Sequence, residues 1–341
     1  MIRRKCIISQ PDFRSNSCDE MFAHFLITIV FVLAAVSSGL TVSKTVKTSR
    51  GSALLMALDP VLSKAFPRNF KTIPFGTEYG TGMDETLNKQ VEERRLKYLE
   101  EDLFSVLKEA AKSKERPMFT TALIAGDAVI LDALAKADLL KKVPIVFVDT
   151  FTLFPESISH LHEVEKHYGF KSQIYNAVGC TDQKDYEKQY GRDYWMKDID
   201  KYDYLCKVEP MNRALKEQNS DCWINGRRRD HGAERAALPV WEGKKLNPLA
   251  FWSFEDCWSY LRKHNVPYHP LHDVGFSSLG DLHSTKKVDH KVWFTYGGER
   301  SGRFQNLVNK DGSAKTECGI HTQMGSDLNI KEEIKKEVVN K

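Results

Sequence analysis

Seven cysteines, at positions 6, 18, 180, 206, 222, 257 and 318 of this 341-residue chain, include no Cys-x-x-Cys pair. Without one, a compact zinc site, a thioredoxin-like dithiol and a secreted disulfide framework are all disfavoured, and a reducing compartment is favoured. Net charge is small too. The formal balance is only +4, with acids and bases interspersed, which is not the footprint of a dedicated nucleic-acid binder. The apolar run from Phe25 to Val36 is too short to cross a bilayer comfortably and has the length of a signal-peptide core. Internal repeats and low-complexity tracts are missing from the part that reads as folded. The length itself allows one large domain or two small ones.

What is present begins with a composite N-terminus. Arg3, Arg4 and Lys5 precede the apolar run, Ser37-Ser38-Gly39 follow it, and Lys44 to Arg50 with Ser52 is basic, hydroxyl-rich and free of acids. A signal peptide followed by a transit-like stretch is the arrangement that leads into plastids with extra membranes; a plain secretory signal or a membrane anchor is the alternative. The chain divides accordingly into a targeting segment (1–52), a linker (53–84), a folded domain (85–325) and a charged tail (326–341).

Within the domain, Leu87, Val91, Leu96, Leu99, Leu103, Val106, Leu107 and Ala110 form an apolar stripe at helical spacing between Glu85 and Lys114. Short β-branched or apolar runs then alternate with helical stretches. Strands are expected at Phe119–Ile124, Pro144–Val148, Ser172–Ala177 and Asp221–Asn225, and helices at Ala128–Leu140, Glu156–Tyr168 and Pro210–Gln218. The alternation predicts an α/β fold, a parallel twisted sheet flanked by helices, with ligands beyond the carboxyl ends of the strands. Three turns loaded with chemistry fall there: Gly126-Asp127, Asp149-Thr150 and Gly226 to Arg235.

The stretch Gly226-Arg227-Arg228-Arg229-Asp230-His231-Gly232-Ala233-Glu234-Arg235 puts four arginines into an otherwise apolar region. Guanidinium forks match phosphate or sulfate oxygens two at a time, so an anion site is expected. The segments Tyr268 to Phe276 and Gly280 to Lys287 are dense in histidine and aspartate but match no compact metal motif. A polar turn with satisfied histidines, or a second phosphate site using His283, Lys286 and Lys287, are the two readings left open. Near the chain end, Lys315-Thr316-Glu317-Cys318-Gly319-Ile320-His321 presents a thiol on a polar tail without core periodicity. His321 and Lys315 are expected to favour its thiolate.

These segments, with Val148-Asp149-Thr150, Phe154-Pro155-Glu156 and Lys207-Val208-Glu209-Pro210-Met211, resemble the assimilatory sulfonucleotide reductase family in five ordered motifs between about Pro117 and Thr322. The resemblance implies an adenine nucleotide alpha hydrolase-like fold (PP-loop, Rossmann-like) with a mobile C-terminal tail carrying the nucleophile. It implies catalytic roles for Cys318 and His321, and substrate contacts from Gly126, Asp149, Thr150, Lys207, Arg228, Arg229, Arg235, His283 and Lys286. It further implies an S-sulfocysteine intermediate, reduced thioredoxin or glutaredoxin as a separate partner protein, and a homodimer. The family's iron–sulfur branch carries two cysteine pairs. Here Leu205-Cys206-Lys207 has one cysteine and Gly280-Asp281-Leu282-His283 has none, so no cluster and no other bound cofactor is expected. That points to 3′-phosphoadenylyl sulfate as substrate, with a cluster-free adenylyl sulfate reductase as the alternative and a non-catalytic nucleotide-binding relative after it. Two departures stand out. The serine-rich turn of the family reads Thr120-Thr121-Ala122-Leu123-Ile124-Ala125-Gly126, and His231 replaces an expected amide.

Overall fold

The computed structural model describes residues 85–309 and 312–321, with backbone only for 85–88. The expected targeting segment, linker and charged tail beyond 321 lie outside the described residues.

Helix α1 (Glu85–Ser113) buries Leu96, Leu99, Leu103, Leu107 and Ala110, one per turn along a single stripe. Val91, expected in that stripe, is 49% exposed, so the buried face begins at Leu96. The chain then alternates strand and helix: β1 (Pro117–Thr121), α2 (Ala125–Lys136), β2 (Ile145–Val148), α3 (Pro155–Tyr168) and β3 (Gln173–Tyr175). Short helices α4 (Gln183–Tyr190), α5 (Tyr194–Lys197) and α6 (Ile199–Asp203) lead through a π-helical turn, Tyr204–Val208, into α7 (Glu209–Glu217) and β4 (Cys222–Ile224). A two-residue hairpin, β5 (Trp241–Glu242) and β6 (Lys245–Leu246), precedes α8 (Phe254–His264) and α9 (His290–Trp293).

The sheet order is β3-β2-β1-β4-β6-β5, parallel throughout except for β5. Because side chains alternate along a strand, the sheet carries two cores. Phe119, Ile145, Phe147, Cys222 and Ile224 face one side with α1, α2, α3 and α8; Met118, Val146, Tyr175 and Trp223 face the other with Met211 and Ala214 of α7. The parallel α/β sheet read from the sequence is thus present, with element ends shifted by a few residues. Several elements lie outside that reading: α4 to α6, α9, the hairpin and α8. The last carries its own signal, since Ser253 and Asp256 form a reciprocal cap at its start.

Strand order runs outward from β1 through β2 to β3, then resumes on the other side with β4. A crevice opens at such a reversal, beyond the carboxyl ends of β1 and β4. The π turn also has a local cause. Pro210 falls inside the continuous helical run 199–217, where it donates no N–H and its ring crowds the carbonyl of Cys206. Widening the preceding turn relieves that crowding, and it is this turn that carries Lys207.

The α1 stripe gives a direct check on the core. Leu103→Ala should lower unfolding free energy by about 3–5 kcal/mol, read as a lower urea midpoint at unchanged slope.

Candidate active site

The crevice holds a cavity of about 200 Å³. Its walls come from the ends of three strands: Thr120–Ala122 after β1, Val148 and Thr150 after β2, and Asn225–Arg227 after β4. Lys207 of the π turn, Gly280-Asp281, Arg300, Arg303 and the tail residues Glu317, Cys318, Ile320 and His321 close it. The volume is below the ~300–1,000 Å³ usual for ligand pockets, and the tail itself forms one wall.

The turn after β1 is Ala122–Ile124, with Leu123 at φ +58°; Gly126 and Asp127 belong to the first turn of α2 rather than to a phosphate turn. Gly126 does not line the cavity. A Cβ there would stand 2.9 Å from Arg228 Nη1, so glycine is needed for packing. Asp127 does line it. Its Oδ2 accepts from Ala122 N–H at 2.6 Å, and burial pushes its carboxyl up to about 7. The carboxyl presses on Gly226, where any Cβ would collide with it.

The four arginines of the 226–235 loop divide by role. Arg228, expected at the substrate, is fully buried and paired with Glu299 and with Asp230 at 3.0 Å. Arg229, also expected there, donates to Leu238 O at 2.6 Å and lies over the Phe251 ring. Neither lines the cavity: both side chains turn into the scaffold, away from the expected substrate contact. Arg227 and Arg235 do line it. Arg227 pairs with Glu242 of β5 and bonds Asn225 and Asn247. Arg235 Nη1 meets His231 Nδ1 at 2.9 Å, and His231 Nε2 meets Glu299 Oε2 at 2.9 Å. An arginine can only donate, so His231 accepts at Nδ1 and carries its proton on Nε2. Burial, then the neighbouring Arg228, pushes this imidazole down to about 3, so it is neutral. The histidine standing where an amide was expected therefore does an amide's work, accepting on one side and donating on the other.

Sequence reading missed Arg300 and Arg303, which complete the cationic wall. The signal was the glycine-spaced run Gly297-Gly298-Glu299-Arg300-Ser301-Gly302-Arg303. Its glycines permit close packing: a Cβ at Gly298 or Gly302 would collide with the Val292 or Lys286 carbonyl.

Cys318 lines the cavity and is half-buried. The expected lowering of its pKa is reversed. Burial pushes the thiol up, and Lys207 is the main group acting against that. Lys207 is itself buried between Asp203 at 2.5 Å and Asp281 at 2.6 Å. Lys315 does not serve the thiol; it binds Asp203 at 2.8 Å and Asp200 at 3.4 Å. His321 is no cation either. Burial and the arginines around it hold it well below its ordinary pKa, and its ring stacks on Trp223 at 4.8 Å. Its backbone carbonyl accepts from Lys245 at 2.8 Å.

The remaining expected residues scatter around the rim. Thr150 lines the cavity and donates to Asp281 at 2.6 Å. Asp149 accepts from Phe151 N–H at 2.9 Å and lies outside the lining. His283 stacks on Trp195 at 4.3 Å, and Lys286 is exposed; neither reaches the cavity. Among the described residues no group of three or more His, Cys, Asp or Glu is arranged to hold a metal ion.

Arg228→Gln tests the division of the loop. It strips the buried Glu299 of its strongest partner and should cost about 3–5 kcal/mol of stability, measured by urea unfolding. A variant of wild-type stability would return Arg228 to the substrate.

Residues 116–287 match the model of the phosphoadenosine phosphosulfate reductase domain. The phosphoadenosine phosphosulfate reductase of Saccharomyces cerevisiae is 39% identical over 213 residues, which is 59% of this chain and 77% of the relative. That of Emericella nidulans is 36% identical over 236 residues, 67% of this chain and 73% of the relative. The crystal structure of phosphoadenylyl-sulfate (PAPS) reductase from Candida auris in phosphate complex has a TM-score of 0.50 at 33% identity, covering 56% of this chain and 96% of that one. With half of its length matched by the family model and these relatives covered well beyond two thirds, the chain belongs to the phosphoadenosine phosphosulfate reductase family, oxidoreductases acting on sulfur groups.

Proposed function

We propose that this protein reduces 3′-phosphoadenylyl sulfate to sulfite and adenosine 3′,5′-bisphosphate, with Cys318 as nucleophile and a thioredoxin- or glutaredoxin-type dithiol as a separate reductant. The observation that carries the reading is one thiol sharing a cavity with five cations, Lys207, Arg227, Arg235, Arg300 and Arg303. Such a wall suits a doubly anionic phosphosulfate group. The relative from Candida auris is described as a phosphate complex, which agrees with an anion site in this fold.

In this scheme the Cys318 thiolate, favoured by Lys207, attacks the sulfonyl sulfur. An S–S bond forms as the S–O bond to the nucleotide breaks, and the leaving phosphate takes the electron pair. The arginines meet the charge that grows on it. A reductant thiolate then attacks Cys318 Sγ, sulfite leaves with the S–S electron pair, and the second reductant thiol closes a disulfide, returning Cys318. Two electrons pass from dithiol to sulfur. With one cysteine across the two segments that hold a cluster in other branches, the scheme uses no iron–sulfur centre. The N-terminal bipartite signal would deliver the enzyme to a plastid.

Adenylyl sulfate is the second reading, and Asp127 favours it. A carboxyl titrating near 7 in the cavity wall, already occupying the Ala122 N–H, opposes an additional phosphate placed against it.

The full chain, supplied with reduced thioredoxin, should release sulfite, and Cys318→Ser should release none; sulfite from that variant would contradict the mechanism. If Asp127 acts on substrate choice, the ratio of kcat/KM for adenylyl sulfate over phosphoadenylyl sulfate should rise as pH passes upward through about 7, where the carboxyl loses its proton. Asp127→Asn should flatten that rise. A flat ratio in the unaltered protein would remove Asp127 from selection.

A further inference from the structure

The Glu317 carboxylate lies against the arginine wall just described. Its two oxygens meet Arg235 Nε and Nη2 at 2.7 Å each, a two-point pair. Arg300 Nη2 stands 3.4 Å from Oε2 and donates to Thr316 O at 2.8 Å. Arg235 Nη1 is taken by His231. The guanidinium edge that would grip two oxygens of a phosphate or sulfate is therefore already filled. Burial works against this carboxylate, and Arg300 and Arg235 overcome it, keeping Glu317 ionised.

We propose that Glu317 is an internal competing anion: it occupies the Arg235–Arg300 subsite in the resting enzyme and is displaced by the phosphate or sulfate group of substrate. The inference rests on the reading of the arginine wall as the anion subsite and adds what controls access to it. Carboxylate, phosphate and sulfate all offer two oxygens to one guanidinium edge, so exchange needs no remodelling of the arginines. Glu317 and Cys318 are adjacent in the chain, hence ejecting the carboxylate moves the thiol. The segment is pinned on either side, by Lys315 on Asp203 and by the His321 carbonyl on Lys245. Motion is thereby concentrated on the residues between. After sulfur transfer the returning carboxylate competes with the product phosphate and helps expel it. It also accounts for the small cavity, since Glu317 forms part of its wall.

A latch that only fastened the tail would leave anion affinity unchanged when removed, whereas a competitor predicts a gain. Inorganic sulfate is the probe, titrated calorimetrically into the full chain and into Glu317→Gln. Losing one charge-assisted competitor should tighten sulfate binding about tenfold or more. Sulfate should also speed iodoacetamide alkylation of Cys318 in the unaltered protein, which chloride at equal ionic strength should not, and the reaction should already be fast in Glu317→Gln. Unchanged or weaker sulfate binding by a variant with native circular dichroism would overturn the proposal. So would alkylation of the unaltered enzyme that ignores sulfate, an outcome that decides the matter even if the variant fails to fold. Failure of both proteins to bind sulfate would remove the anion subsite together with its competitor. Binding and sulfite production by the unaltered chain, with no gain in the variant, would remove the competitor alone.

Discussion

The site depends on one buried carboxylate. Glu299 accepts from both Arg228 and His231 through Oε2, and burial of a charge is tolerable only with such partners. Through neutral His231 it orients Arg235, and Arg235 in turn grips Glu317 of the segment that carries Cys318. Arg228 packs against Gly126, tying the same network to the first turn of α2. One acid thus fixes the arginine loop, the helix start and the resting position of the tail.

A second buried network sets the environment of the thiol. Asp281 accepts from Thr150 and pairs with Lys207, while Asp203 pairs with both Lys207 and Lys315. Two lysines meet three aspartates there, with Asp200 also reaching Lys315. The pairing holds Lys207 charged beside Cys318 although it is excluded from water. Lys207 sits in the π turn just before Pro210 and lines the crevice from there.

The sheet was legible in the sequence because buried parallel strands read as short apolar runs and their helices as 3.6-residue stripes. Hairpin β5–β6 was not, since two-residue strands leave no period to read. Arginine density marks the 226–235 loop in the sequence, but which guanidinium faces the cavity depends on partners far along the chain, Glu299 for Arg228 and Glu317 for Arg235. Proximity in sequence suggests His321 and Lys315 as cations for the thiol. Burial removes the charge of one, and distant aspartates claim the other. The cation that acts most on Cys318 lies at position 207, and only the fold brings the two together.

In the proposed mechanism Cys318 takes up the sulfonyl group. Mass spectrometry of the full chain mixed with a sulfonucleotide, in the absence of any thiol reductant, tests it most directly. One added SO3 group is expected on the peptide containing Cys318, removed by reduced thioredoxin with release of sulfite. An unmodified Cys318 alongside sulfite formation, or the added group on another residue, would contradict it.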